Sequence, residues 1–159
     1  MWEKELEKFV DKQTVIMGIG SELKSDDGIG VFVAKTLKER GFNNVIVAGS
    51  TPEHWIGFLL KKKFKKLLII DAVIFEGKEG EIKIFDLQDI NGNFGLTHAS
   101  SLNIFYEFLS KESSIKELKI LAVMPKSLNL EEGLSKEVEE SALKIIKFFN
   151  NFLSRINYS

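Results

Sequence analysis

Residues 14–30 read TVIMGIGSELKSDDGIG, and the fold follows from the order of residue types within them. Val15, Ile16 and Met17 form a short apolar run rich in strand formers, which predicts a central strand buried on both faces. Gly18 and Gly20 let the backbone turn sharply at its end. Asp26 and Asp27 then stand where an N-cap and first helical turn belong, before the apolar helical face of Ile29, Val31, Phe32, Val33, Ala34 and Leu37. The unit is strand, glycine turn, helix, with carboxylates delivered to the carboxyl end of the strand.

The same alternation continues outward. Residues 1–12 place Trp2, Leu6, Phe9 and Val10 at helical spacing among charged residues, a short amphipathic helix rather than an uncharged secretion signal. After Gly41, Val45-Ile46-Val47-Ala48 predicts a second strand. Ser50 or Thr51 can cap a helix that Pro52 enters at its first position, with Trp55, Ile56, Phe58, Leu59 and Leu60 on its apolar side. The lysine-rich residues 61–66 read as a solvated helix end facing the negative pole of the dipole, or as a docking patch for an acidic partner.

Leu67-Leu68-Ile69-Ile70 is the most apolar run, and it is interrupted by Asp71 before Ala72-Val73-Ile74-Phe75 resumes. An aspartate there requires a hydrogen bond, a counter-charge or a metal, since a buried carboxylate costs several kcal/mol without one. Residues 81–85, EIKIF, alternate strictly and predict an antiparallel strand near an edge. The long loop that follows carries Asn91-Gly92-Asn93 and Gly95 and ends in Thr97-His98 before a helix with Leu102, Phe105, Tyr106 and Leu109 on one face. Residues 119–124, KILAVM, are the last core strand. Ser135 opens a long helix whose buried stripe is Val138, Ala142, Ile145, Phe149 and Phe152.

These elements predict an α/β fold, one domain over residues 1–159, in which a twisted, mixed five-stranded sheet carries helices on both faces as a three-layer αβα sandwich. Right-handed crossovers place the first and third strands side by side. A net charge of −1 supplies no basic field for nucleic acid, and no segment is long and apolar enough to span a membrane. With no cysteine, the chain has no disulfide and no thiolate nucleophile, which fits a cytoplasmic protein, and any metal must be held by oxygen or imidazole.

In such sheets ligands sit beyond the carboxyl ends of the strands. Asp27, Asp71 and His98 converge there on the predicted topology, and two carboxylates with one imidazole suit a divalent transition metal with open positions. Each residue also has a plainer reading: Asp27 a helix cap, Asp71 a buried acceptor, His98 a surface loop residue, as His54 also is. Other chemistries lack their motifs. Leu23 stands where a G-x-G-x-x-G turn needs its third glycine and the second strand ends without an acid for a ribose; no Gly-Lys-Ser/Thr forms a P-loop; no G-x-S-x-G forms a nucleophile elbow.

The segment Gly18-Ile19-Gly20-Ser21-Glu22-Leu23-Lys24-Ser25-Asp26-Asp27-Gly28-Ile29-Gly30 resembles the G-x-G-N-x-L-x-x-D-D/E-G-x-G signature of the nickel-iron hydrogenase maturation proteases. The resemblance extends through Ser50-Thr51-Pro52-Glu53, Asp71-Ala72, Thr97-His98 and Pro125-x-Ser127-Leu128 to Gly133-Leu134-Ser135, nearly the whole chain. Ser21 replaces the family's asparagine, Ser50 its glycine and Lys126 a common glutamate. The resemblance implies an aspartyl-type endopeptidase that removes a C-terminal extension from a hydrogenase large-subunit precursor once nickel is inserted. It puts Asp27, Asp71 and His98 at the nickel-contacting positions, Asp27 or Asp71 as general base, and the nickel in the substrate. A non-catalytic, chaperone-like module that binds the metallated precursor is the alternative.

Overall fold

The structure, a computed structural model, describes residues 1–87, 95–96 and 99–158. The elements run α1 (Trp2–Phe9), β1 (Thr14–Ile19), a 3-10 turn (Ser25–Gly28), α2 (Ile29–Glu39), β2 (Val45–Gly49), a second 3-10 turn (Pro52–Trp55) and α3 (Ile56–Lys61). Then come β3 (Lys66–Ile74), β4 (Ile82–Asp86), β5 (Gly95–Leu96), α4 (Ala99–Glu112), β6 (Glu117–Val123) and α5 (Lys136–Arg155). The sheet order is β2-β1-β3-β6-β4, with the two-residue β5 paired to β3 beyond that path. Pairing is parallel from β2 through β6; β4 is antiparallel to β6 and lies at the edge, as its alternation predicts.

Two cores enclose the sheet, which is the expected αβα sandwich. Ile16, Leu68, Ile70, Ala72, Leu121 and Val123 face α1, α2 and α5, where Leu6, Val33, Leu37, Val138, Ile145 and Phe149 meet them. Val15, Met17, Ile19, Leu67, Ile69, Val73 and Ile120 face α3 and α4, against Leu59, Leu102, Phe105 and Leu109. Neighbours along a strand serve opposite cores, the period-two geometry of a sheet covered on both sides. Burying each such side chain contributes about 1.5–3 kcal/mol, so the strands that carry them can also carry an aspartate.

The lysine-rich stretch divides differently from the expectation of one solvated helix end. α3 stops at Lys61, and Lys66 begins β3. Its ammonium donates to the Phe9 carbonyl at 2.6 Å and to Asp11 Oδ2 at 2.7 Å, which ties the end of α1 to the third strand. The C-terminus is fastened to the same end of the sheet, because the buried Tyr158 hydroxyl donates to the carbonyls of Thr14 and Asn44. Burial and the charge of Asp11 push that phenol well above its ordinary range.

Candidate functional site at the carboxyl ends of the strands

Two close approaches set the Asp27 turn against the sheet. Gly20 has φ +123°, and its amide donates to the Gly49 carbonyl at 2.9 Å, joining the turn to the end of β2. A methyl group on Gly20 would overlap the Asp27 carbonyl oxygen. At Gly30 a methyl group would overlap the Ile70 carbonyl oxygen, so the first turn of α2 rests directly on the β3 backbone one residue before Asp71. The two glycines are therefore spaced for backbone contact: they bring the aspartate turn and the third strand to one end of the sheet.

Asp27 is 1% exposed. Its Oδ2 accepts from the Ser21 amide at 2.8 Å, closing the turn on itself, while its Oδ1 is buried with no hydrogen-bond partner among the described residues. Asp27 is not the cap that a helix start suggests. Gly28 holds the N-cap position of α2, and no side chain caps it.

Asp71 is wholly buried and lies inside β3, which continues to Ile74 instead of ending at the aspartate. Pairing with β1 reaches only Ile70, whereas β6 continues alongside, with Asp71 opposite Ala122 and Ala72 opposite Val123. Val73 and Ile74 then pair antiparallel with β5. The aspartate thus stands one residue past the last pairing with β1, at the carboxyl end of the β1–β3 pair, while β6 still runs parallel beside it. Its Oδ1 accepts from the Ala72 amide at 2.9 Å. Strand alternation assigns it, with Ile69 and Val73, to the face covered by α3 and α4.

His98, the remaining expected ligand, lies outside the described residues, as do Thr97 and the Asn91-Gly92-Asn93 turn. Among the described residues no group of three His, Cys, Asp or Glu side chains is placed to hold a metal ion. Asp27 and Asp71 are the two site residues whose placement is described, and both stand at the sheet's carboxyl end.

Asp26 is the residue that reading the sequence missed. Fully buried, it accepts at Oδ2 from the amides of Lys126 at 2.9 Å and Ser127 at 3.0 Å and from the Ser135 hydroxyl at 2.8 Å, and at Oδ1 from the Ser135 amide at 2.7 Å. Its own amide donates to the Ser127 carbonyl at 3.1 Å, and the Ser25 amide to the Glu131 carbonyl at 2.8 Å. The N-cap position of α5 does fall on Ser135, but the serine hydroxyl is spent on Asp26 instead of on its own helix. The chain therefore pins the turn bearing Asp27 to a loop a hundred residues later. A signal was present in the polarity of Ser127 beside Pro125, which no reading of the sequence used, though nothing local names its partner.

Residues 31–150 match the HycI family model, described as hydrogenase maturation protease. This chain belongs to that family. The matched region begins just after the glycine–aspartate segment, so membership does not rest on that motif alone. A Methanocaldococcus jannaschii protein named for a hydrogenase maturation protease is 34% identical over 145 residues, covering 85% of each chain. The hydrogenase 3 maturation protease of Escherichia coli is 32% identical over 114 residues, 70% of this chain and 72% of that protein. The crystal structure of the NiFe hydrogenase maturation protease HycI from Thermococcus kodakarensis superposes with TM-score 0.80 at 26% identity, covering 94% of this chain and 99% of that one. As a hydrogenase maturation protease the chain is assigned to peptide hydrolysis, and none of its described helices is long and apolar enough to cross a membrane.

Proposed function

We propose that this hydrogenase maturation protease removes a C-terminal extension from a nickel-iron hydrogenase large-subunit precursor after nickel has been inserted, and that Asp27, Asp71 and His98 read the metal the precursor carries. The observation that carries the reading is Asp27 Oδ1, a carboxylate oxygen closed off from solvent with no donor among the described residues. Such an atom costs several kcal/mol to desolvate, and a divalent cation brought by the substrate offsets that cost. A second carboxylate, Asp71, stands at the same end of the sheet on a different element, which suits approach to one ion from two directions.

The substrate's nickel supplies Lewis-acid polarisation of the scissile carbonyl or of the attacking water. One carboxylate, Asp27 or Asp71, takes a proton from that water as its oxygen bonds to the carbonyl carbon; when the C–N bond breaks, the proton passes to the departing amine. The Ser21 amide keeps Asp27 Oδ2 fixed while Oδ1 meets the metal or the water. The ligand types confer no preference for nickel over copper, so selectivity has to come from the geometry in which the precursor presents its metal.

The test uses precursor from the same organism prepared with and without nickel, incubated with the protein and weighed by mass spectrometry. Loss of a C-terminal peptide from the loaded form alone is the expected result. Equal cleavage of both forms removes the gating role of the metal, and binding of the loaded form without a change of mass favours the chaperone-like module.

A further inference from the structure

A cleft of about 350 Å³ opens at the amino ends of β1 and β2, the end of the sheet away from Asp27 and Asp71. Its volume falls in the range of about 300 to 1,000 Å³ in which proteins hold small molecules. Val15 and Ile46, buried in the core that α3 covers, lie at its base. Three aromatic rings line it: Trp55 from the second 3-10 turn, Phe58 from α3, and Phe64 from the segment between α3 and β3. Trp55 and Phe58 meet edge to face with centroids 5.6 Å apart, and Phe58 remains 39% exposed. Partly exposed rings grouped around a cavity suit the stacking of a flat ligand.

The charged groups of the cleft are of one sign. Lys38 and Lys62 line it, and among the described residues no carboxylate does. Lys62 leaves α3 with extended backbone (φ −99°, ψ 162°), and Lys62 and Phe64, two residues apart, reach the same cavity. The Lys62 ammonium stands 5.1 Å from the centre of the Phe58 ring. That of Lys38 donates to the Val45 carbonyl at 3.1 Å and keeps its other N–H groups for a ligand. Lys61, Lys63 and Lys65 are exposed along the same run, and like Lys62 they have no ion pair among the described residues, whereas Lys66 is spent on Asp11. On a chain of net charge −1 these cations make a local positive field. Asn43 and Asn44 complete the lining, and their side-chain amides make no hydrogen bond to protein among the described residues.

We infer that this cleft binds a mononucleotide, a flat heteroaromatic ring carrying a phosphate, at a site separate from the aspartate end of the sheet. The aromatic rings stack the base, the ammoniums of Lys38 and Lys62 meet the phosphate, and the asparagine amides hydrogen-bond the base edge or the ribose hydroxyls. Several unpaired cations favour a phosphate, with more than one negative charge, over a carboxylate. The amides favour a nitrogen-containing ring over a hydrocarbon one, since they offer both donors and an acceptor. No glycine-rich phosphate loop takes part. The site is assembled from the start of β2, the second 3-10 turn with α3, and the lysine run, which is why the nucleotide motifs absent from the sequence do not bear on it.

Calorimetry on the whole protein tests this with adenosine and guanosine monophosphates, and with adenosine and inorganic phosphate as partial ligands. The expected result is one site for at least one of the monophosphates, with adenosine and phosphate each bound roughly tenfold more weakly or worse. Phe58→Ala and Lys62→Gln, both at exposed positions, each raise the dissociation constant roughly tenfold, and Lys62→Gln also flattens its dependence on salt. Lys144→Gln, at an exposed position on α5, leaves the constant unchanged. Absence of binding at millimolar nucleotide overturns the inference, as does a constant that neither cleft variant moves. Phosphate bound as tightly as the nucleotide would mean that the lysines attract any anion and that the rings hold nothing, which also defeats it. So would binding of a single-stranded oligonucleotide but of neither monophosphate, because the patch would then serve a nucleic-acid backbone. Asp27→Asn is expected to leave nucleotide binding as it is, and a loss there would place the ligand at the aspartates instead of in this cleft.

Discussion

Two regions of the molecule meet between residues 26 and 27. On one side, the Asp26 carboxylate is surrounded by four donors from residues 126–135 and closed off from solvent. On the other, Asp27 is just as buried, yet one of its oxygens has no donor among the described residues. Adjacent identical residues thus divide the work of the turn. A carboxylate with donors on both oxygens acts as a structural rivet, and one with an oxygen in reserve is free for the ligand or base role proposed for Asp27. Burial alone would not have separated them; the donor count does.

The comparison breaks first at Asp26. Asp26→Ala leaves the Lys126, Ser127 and Ser135 donors buried without their acceptor, and it is expected to lower stability by about 3–5 kcal/mol in denaturant melts. A loss under about 1 kcal/mol would mean that the turn and the loop are not pinned through this carboxylate.

Gly30→Ala tests the other support of the turn. Its methyl group meets the Ile70 carbonyl oxygen, so either α2 or β3 has to shift, at a cost of about 1–3 kcal/mol. The expected melt shows that loss together with processing reduced further than stability accounts for, because the shift falls between Asp27 and Asp71. Full processing in a folded Gly30→Ala protein would show that the spacing of the two aspartates is not critical.

For Asp27 the sign reverses. Asp27→Asn keeps the shape, adds a donor and removes a buried charge, so stability is expected to stay within about 1 kcal/mol of wild type or to rise, as at sites where function imposes strain. Asp71→Asn is expected to behave likewise. Processing of the nickel-loaded precursor should fall by about two orders of magnitude or more in either variant. A loss of stability in Asp27→Asn as large as that at Asp26 would make both residues structural.

The smallest effect belongs to a carboxylate far from the site. At Asp11, partial burial works to raise the pKa, but the hydrogen bond and charge of Lys66 and the Gln13 amide outweigh it and hold the carboxyl below its ordinary value of 3.8. The folded state is therefore favoured above the ordinary value, and this contribution disappears as the pH falls through the lower, folded one. The side chain is 54% exposed, so Asp11→Asn should cost less than about 1 kcal/mol near neutral pH, and the two proteins should melt alike once the pH lies well below the lowered, folded value. A difference that persists in acid would point to packing of the Asp11 turn rather than to charge.

Much of this was legible along the chain because it depends on local periodicity. The apolar runs at residues 15–17, 67–70 and 119–124 became the buried strands β1, β3 and β6, and the alternation at 81–85 became the edge strand β4. Side-by-side packing of β1 and β3 followed from the handedness of crossovers. Asp71 was legible as an anomaly, a charge within the most apolar run, although its strand continues beyond it. Less could be read where a side chain's partner is distant. Asp26 and Asp27 look alike in the sequence, and both suit a helix start.

By itself the sequence determined where the main strands and helices lie, that the glycine turn opens at the carboxyl end of β1, and which residue types are available for chemistry. The tertiary structure decided which aspartate is satisfied. Hydrophobic period is a property of neighbours along the chain, whereas saturation of a carboxylate depends on donors that only folding brings near, here from residues 126, 127 and 135.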